Sequence, residues 1–198
     1  MDPLDPWTLV ETAHGFRADE LISTFQKSIR RGLVENAALV AYELYVTSAE
    51  LEEHLWRRLE VISVEDVGLA NPQAPALIDA LYRMHARAVR GTGDRFLFLL
   101  HGVRLLAGST KDRSTDEMAN WIMRVVESGE RLPEIPDVAY DMHTKRGREL
   151  GRDIHHFFRE GAIVEPEWEE RDRTYRERLL ALLEHEASDS DGAGSNAG

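Results

Sequence analysis

Cysteine is absent from this sequence of 198 residues. The chain can therefore form neither a disulfide nor a thiolate metal site, which fits a reducing compartment. No apolar run reaches the roughly 20 residues that a helix needs to span a bilayer. The first ten residues contain two prolines and no basic residue, so they do not resemble a secretory signal. These absences predict a cytoplasmic protein that has no membrane partner.

The sequence also lacks the short motifs that bind nucleotides or catalytic zinc. It contains no GxxxxGKS/T loop, no GxGxxG and no HExxH. The fragment Gly91-Thr92-Gly93 lies between two predicted helices rather than after a strand, so we interpret it as a linker. We therefore predict that this sequence is not an enzyme and that it takes no cofactor.

Acidic residues outnumber basic ones by 36 to 24, which gives a formal net charge of −12. A charge of this sign favours solubility and argues against extensive coating of nucleic acid. Hydrophobic residues make up 42% of the chain, enough for a buried core. We predict an N-terminal arm over 1–16, a helical domain over 17–165, a C-terminal helix over 166–186 and a disordered acidic tail over 187–198.

Apolar residues recur at helical spacing through nearly the whole chain, and no alternating strand pattern is present. The fold class is therefore predicted to be all-α, a multi-helix bundle. Asp94 opens a helix that is apolar on nearly all sides, which is typical of a central position. Further apolar stripes are Leu21–Ile29, Ala37–Tyr45, Leu51–Ile62, Leu77–Met84 and Met118–Val126.

Local signals predict where several helices begin and end. Ser48 is predicted to cap the third helix, and Asn71-Pro72 to open the fourth. Ser114–Glu117 fits a capping box. Pro133 and Pro136 predict an extended passage. Beyond it, short helices are predicted around 137–142 and 152–159, and a charged surface helix over 168–183.

Histidines suggest a metal site only at first sight. His143, His155 and His156 are close in sequence, and Asp141 and Asp153 are near them. Adjacent residues on a helix point about 100° apart, so His155 and His156 cannot chelate as an i, i+4 pair does. We interpret these histidines as surface or capping residues and predict no metal.

Two sets of charged residues admit a structural and a functional interpretation. Glu65 and Asp66 follow the third helix, and their structural interpretation is pairing with Arg57 or Arg58, whereas the alternative is a ligand-binding role. At the end of the first helix, three cations complement the helix dipole on a face predicted to be solvated. These cations are Lys27, Arg30 and Arg31.

The most concentrated positive charge lies near the C-terminal end. Between Lys145 and Arg152, four basic residues stand against the single acid Glu149, a net of +3. The four are Lys145, Arg146, Arg148 and Arg152. They can face an anion such as a phosphate, or they can pair with acids of their own fold. Gly147 and Gly151 would let backbone approach closely, as anion sites often need.

Three segments of the chain resemble one known domain over roughly residues 17 to 165. They are Leu21–Arg30, Leu55–Leu59 with Ser63–Pro72, and Ile135-Pro136 with His143–Gly151. The string Glu-Asp-Val-Gly-Leu-Ala-Asn-Pro is the most specific of the matches. The domain is the C-terminal region of the replication-associated recombination protein A family, also called MgsA, which comprises AAA+ ATPases related to clamp loaders.

The resemblance implies an all-helical domain akin to the clamp-loader collar, which assembles subunits, commonly as tetramers. It implies a role in DNA replication, recombination or repair. The residues that carry the family motif are Arg57, Arg58, Glu65, Asp66, Asn71 and Thr144. The ATPase motifs themselves are absent from this sequence, so ATP hydrolysis is not implied.

Three hypotheses for function result. The first is a non-enzymatic oligomerisation or adaptor domain that self-associates, with a tetramer favoured, or docks on a separate AAA+ ATPase or replication or repair protein. The second is a module that binds nucleic acid weakly through the 145–152 basic cluster. The third is an enzyme of unrecognised type with a site near Arg58, Glu65 and His143.

Overall fold

Helices account for all the regular secondary structure of residues 6–194, the part of the chain that the computed structural model describes, with side chains up to residue 186. The chain forms two compact units, Met1–Arg131 and Leu132–Gly198. The only β pairing among the described residues is an isolated bridge between Glu11 and Arg17. The predicted all-α fold class is confirmed.

The first unit contains six α-helices. They are α1 (Ala18–Arg30), α2 (Val34–Thr47), α3 (Ala49–Ile62), α4 (Ala74–Arg87), α5 (Gly93–Gly108) and α6 (Ser114–Glu127). A 3-10 turn (Pro6–Leu9) precedes them, and a π-helical turn (Ser63–Val67) and a 3-10 turn (Gly68–Ala70) join α3 to α4.

Helix α5 lies at the centre of the first unit, as its apolar sequence predicted, because it packs on α1, α2, α3 and α4. Leu99, Val103 and Leu106 are fully buried there. Gly102 lets the helices approach closely, since a Cβ at this position would lie 3.4 Å from Ile78 and 3.5 Å from Leu59. The apolar periodicity of these helices is thus used for one shared core.

Two of the three predicted helix starts differ from the structure. Ser48 caps α3 as expected, and its side chain accepts a hydrogen bond from the Leu51 N–H. Helix α4 begins only at Ala74, so Asn71 is not its cap. The capping box at Ser114 does not form either, because the Asp112 carboxylate accepts the Ser114 N–H at 2.9 Å and takes over the local capping role.

In the second unit, α7 (Lys145–Glu149), α8 (Ile154–His156) and α9 (Thr174–Gly194) follow a 3-10 turn (Asp137–Ala139), and a π-helical turn (Phe157–Gly161) continues α8. The short helix predicted over 137–142 is therefore only this 3-10 turn. The helix predicted from Trp168 begins at Thr174, after an acid, Asp172, accepts the Thr174 N–H.

The predicted domain boundaries stay predictions. The disorder expected for 187–198 concerns side chains outside the described residues, and the printed bounds of α9 extend into that range. Within the described part of the chain, no helix is both long and apolar enough to cross a membrane.

Candidate functional site

The turn after α3 buries a carboxylate between two arginines. The Asp66 side chain is 0% exposed. Its Oδ1 accepts hydrogen bonds from Arg30 Nε of α1 at 2.5 Å and from Arg113 Nη1 at 2.5 Å. A buried carboxylate is stable only when it is paired and hydrogen-bonded. Asp66 therefore ties the end of α1 to the residue that precedes α6.

Glu65 extends this arrangement towards α3. Its Oε1 accepts from Arg30 Nη2 at 3.0 Å and Arg113 Nη1 at 3.1 Å, and its Oε2 lies 3.9 Å from Arg58 Nη2. Gln26 links the two sides, since its amide donates to Glu65 at 2.9 Å and accepts from Arg58. We name this set the carboxylate–arginine cluster. Its members are Gln26, Arg30, Arg58, Glu65, Asp66 and Arg113.

The sequence-based pairing was right for one arginine and wrong for another. Arg58 lies beside Glu65 as predicted, whereas Arg57 is 65% exposed and lies 4.0 Å from Glu53. Arg30 does not belong to a solvated face, because its guanidinium turns inward to the acids of the turn. Arg113 was not predicted at all, since 47 residues separate it from Asp66.

All four carboxylate oxygens of Glu65 and Asp66 accept hydrogen bonds or ion-pair contacts inside the protein. The cluster is also close to electrically balanced, because Arg113 Nη2 contacts a third acid, Asp116, at 2.5 Å. The hydrogen bond to Asp66 raises the pKa of Arg113 further above its ordinary value. These contacts support the structural interpretation of the acids over a ligand-binding one.

Further contacts hold the segment that leads into α6. The Asp112 N–H donates to the Asp66 carbonyl at 3.0 Å. Gly68 has a positive φ of 53°, and a Cβ there would lie 2.3 Å from the Asp112 carbonyl oxygen. Lys111 donates to the carbonyls of Leu106 and Ala107 at the end of α5, and burial lowers its pKa. Together these contacts determine the direction in which α6 leaves the core.

Helix α6 carries apolar side chains that its own unit does not cover. Met118, Trp121, Ile122 and Val126 are 40–60% exposed, and only Val125 of this helix is buried. The sequence pattern resembles a core-facing stripe, so this exposure was not expected. On the polar side of the helix, Asp116 is held by Arg113, and its oxygens also accept from Asn120.

A cavity of about 240 Å³ lies beside the first turn of α6. Val64 and Leu69 of the motif turns, both exposed, line it with Thr115 of α6 and with Pro72 and Pro75. We name the exposed apolar side chains of this region the α6 face. They are Val64, Leu69, Met118, Trp121, Ile122 and Val126.

A second buried ionic group was missed by sequence reasoning. The Glu52 side chain is 2% exposed and contacts Arg95 Nε at 2.5 Å, His85 Nε2 at 2.7 Å and Arg90 Nε at 2.9 Å. Burial lowers the pKa of His85, against the opposing effect of its hydrogen bonds to the Arg95 carbonyl and to Glu52. One signal was available, because Glu52 falls on the same helical stripe as Leu55 and Leu59.

The basic cluster of the second unit has partners within that unit. Arg152, 17% exposed, donates to Asp137 Oδ2 at 2.5 Å and to the carbonyls of Asp137 and Tyr140. Arg146 lies 4.7 Å above the Tyr140 ring, and Arg148 donates to the Met142 carbonyl. Lys145 is 87% exposed and lies 3.8 Å from Glu149. Anion binding by these residues stays a prediction.

The remaining sites of the sequence analysis have local roles. Thr144 caps α7 by accepting the Gly147 N–H at 2.9 Å, and Asn71 Nδ2 lies 3.5 Å from Ser109 Oγ. His143 Nδ1 contacts Asp141 Oδ2 at 3.0 Å in the second unit, whereas Arg58 and Glu65 belong to the first. The part of the chain that the structure describes contains no group of three His, Asp or Glu able to hold a metal.

Comparison with known proteins agrees with the sequence resemblance. Residues 33–168 match the family described as MgsA AAA+ ATPase C terminal. Over 136 residues the chain is 35% identical to replication-associated recombination protein A of Bacillus subtilis (strain 168). That alignment covers 68% of this chain and 31% of the relative. The chain therefore spans about a third of the length of the curated relative that it matches.

Proposed function

This chain belongs to the family of MgsA AAA+ ATPase C-terminal domains, and we propose from this membership that it is an accessory domain in DNA replication, recombination or repair. In this proposal it hydrolyses no ATP. It self-associates, and it serves as an adaptor for a separate AAA+ ATPase or repair protein. The observation that carries the proposal is the α6 face.

The size of the α6 face suits a protein interface. Its six side chains are about half exposed, and at roughly 200 Å² for a large side chain they offer on the order of 600 Å². Each partner in a standard interface buries about 800 Å². Scattered single apolar residues need no explanation, but a contiguous patch of this size marks an interaction site.

The α6 face is also held rigidly and is free of charge. The carboxylate–arginine cluster and Gly68 determine where α6 leaves the core, so little conformational entropy is lost when a partner binds. None of the six side chains is ionisable. Two copies of a chain with a net charge of −12 repel each other, and an uncharged apolar patch is where that repulsion is most easily overcome.

Light scattering at micromolar concentration tests self-association. We expect a multiple of 22.5 kDa, with the tetramer favoured by the resemblance, and a mass that does not fall as salt is added, since salt screens the repulsion. Trp121→Asp should lower the mass, whereas Val89→Asp, at an exposed position between α4 and α5, should not. A monomeric wild type at every concentration would refute the proposal.

Absence of ATP hydrolysis is tested separately. The sequence has no loop to bind β- and γ-phosphates, so purified protein should show only background turnover with or without DNA. Turnover that follows the protein through several columns would contradict this part of the proposal.

Nucleic-acid binding is a second candidate function. Lys145, Arg146 and Arg148 are all exposed around the single helical turn of α7, which would let them contact a phosphate backbone together. Because Arg152 is held by Asp137, we assign the contact to the other three residues.

A further inference from the structure

A second apolar surface lies on the first unit, where the N-terminal loop meets α1 and α2. It forms a cavity of about 410 Å³, within the size range of ligand sites. We name it the N-terminal groove. Its lining residues are His14, Phe16, Leu21, Thr24, Asn36, Leu39, Val40, Tyr42 and Glu43. It shares no residue with the α6 face, and its loop and α1 wall precede the range that matches the family.

The loop wall of the groove is fastened to α2 through Glu43. The backbone N–H of His14 donates to Glu43 Oε1 at 2.8 Å, and His14 Nδ1 lies 2.5 Å from Glu43 Oε2. The Ala13 N–H donates to Thr47 Oγ1 at 3.0 Å. These contacts hold Phe16 opposite Leu39, so the groove exists in the free protein.

Apolar and aromatic side chains dominate the groove and are open to solvent. Phe16, Leu39 and Tyr42 are 51–64% exposed. Three large side chains exposed around one concave surface offer apolar area to a bound group, since burying that area is favourable.

The polar atoms of the groove are mainly acceptors. The Thr24 hydroxyl donates to the Glu20 carbonyl, and Asn36 Nδ2 donates to Ser28 Oγ. His14 directs its Nδ1–H to Glu43, which makes Nε2 of the neutral ring an acceptor. A carboxylate has about four acceptor sites, and His14 uses two of those of Glu43. A ligand that matches this groove must therefore bring donors of its own.

We propose that the N-terminal groove binds a peptide segment of a partner protein that carries a large apolar side chain next to a lysine or arginine. The apolar side chain lies among Phe16, Leu39 and Tyr42, and the cation reaches the Glu43 carboxylate. The net charge of −12 attracts such a segment from a distance. Nucleic acid fits poorly, because its phosphates are acceptors and would face Glu43. This site specifies the partner in the adaptor part of the proposed function, on which it rests.

Two matched peptides test the inference by fluorine NMR, which reads binding from the peptide whatever the mass of the protein. They are N-acetyl-4-fluorophenylalanyl-arginine amide and its glutamate counterpart. With the full chain we expect the arginine peptide to broaden and to bind at least about tenfold more tightly, a difference of about 1.4 kcal/mol. Glu43→Gln should reduce the preference to about threefold or less.

Variants locate the site and separate this inference from self-association. Leu39→Asp, at an exposed position, should abolish peptide binding and leave both the helicity and the oligomer mass unchanged. Trp121→Asp should lower the mass and leave peptide binding intact. Equal affinity for the two peptides, no binding up to millimolar concentration, or full binding by Leu39→Asp would overturn the inference while leaving self-association standing.

Discussion

Removal of the Asp66 carboxylate is the sharpest test of how α6 is held. Asp66→Ala leaves Arg30 and Arg113 beside one another with only Glu65 to balance them. Breaking a fully buried ion pair costs about 3–5 kcal/mol of unfolding free energy. Both arginines are 30% exposed and regain some hydration, so we expect a loss of about 2–4 kcal/mol.

Thermal unfolding followed by circular dichroism measures this loss. At about 3–4 °C per kcal/mol for a unit of this size, the melting temperature of Asp66→Ala should fall by about 6–15 °C. The matched control is Arg57→Ala, which removes an exposed arginine 4.0 Å from its partner and should cost less than about 0.5 kcal/mol.

A double-mutant cycle then ties the loss to the contact with α6. Arg113→Ala and the Asp66→Ala, Arg113→Ala double variant should together give a coupling energy of at least about 1 kcal/mol. Melting of Asp66→Ala within 2–3 °C of wild type, on the order of the change that less than 1 kcal/mol produces, would refute the reasoning. In that case the acids would be solvated, and a ligand-binding role would explain them better.

Three further changes have defined outcomes. Glu52→Gln weakens the buried contacts to two arginines and a histidine, and urea unfolding should show a loss of about 2–4 kcal/mol. Glu43 is desolvated, which raises its pKa, but hydrogen bonds from Thr12 and His14 outweigh this and lower it below 4.5. Its contribution to stability is therefore complete above pH 4.5 and is lost as the pH falls through the lower folded value, which a carboxyl NMR titration and acid melting curves should show. Arg146→Glu with Arg148→Glu should abolish any DNA binding without loss of helicity, and single lost contacts should each flatten the salt slope by about 0.7–0.9. Wild type that binds no DNA or RNA at low salt, or a double variant that unfolds, would contradict the phosphate contact.

Helix type and approximate extent could be predicted from local pattern. The Ser48 cap and the central position of α5 followed from residues near each other in sequence. Helix starts at Ala74 and Ser114 were placed wrongly, because turns before them use backbone and side-chain contacts that compete with the local capping signal.

The candidate site was predicted only in part. Arg58 is seven residues from Glu65, so helical spacing was enough to suggest that the two are neighbours. Arg30 and Arg113 are 35 and 48 residues from Glu65, and no local rule connects them with it. The same limit hid the contacts of Glu52 with His85 and Arg95.

By itself, the sequence determined the all-α class, the family and the residues that carry the family motif, because periodicity and short motifs are local properties of the chain. Only the tertiary structure decided which charges meet and which apolar stripe stays uncovered. Helix α6 shows the reason most clearly. Its stripe from Met118 to Val126 has the periodicity of a core helix, yet burial depends on what other elements place opposite it, and the contacts of Asp66 and Gly68 direct this helix away from the core.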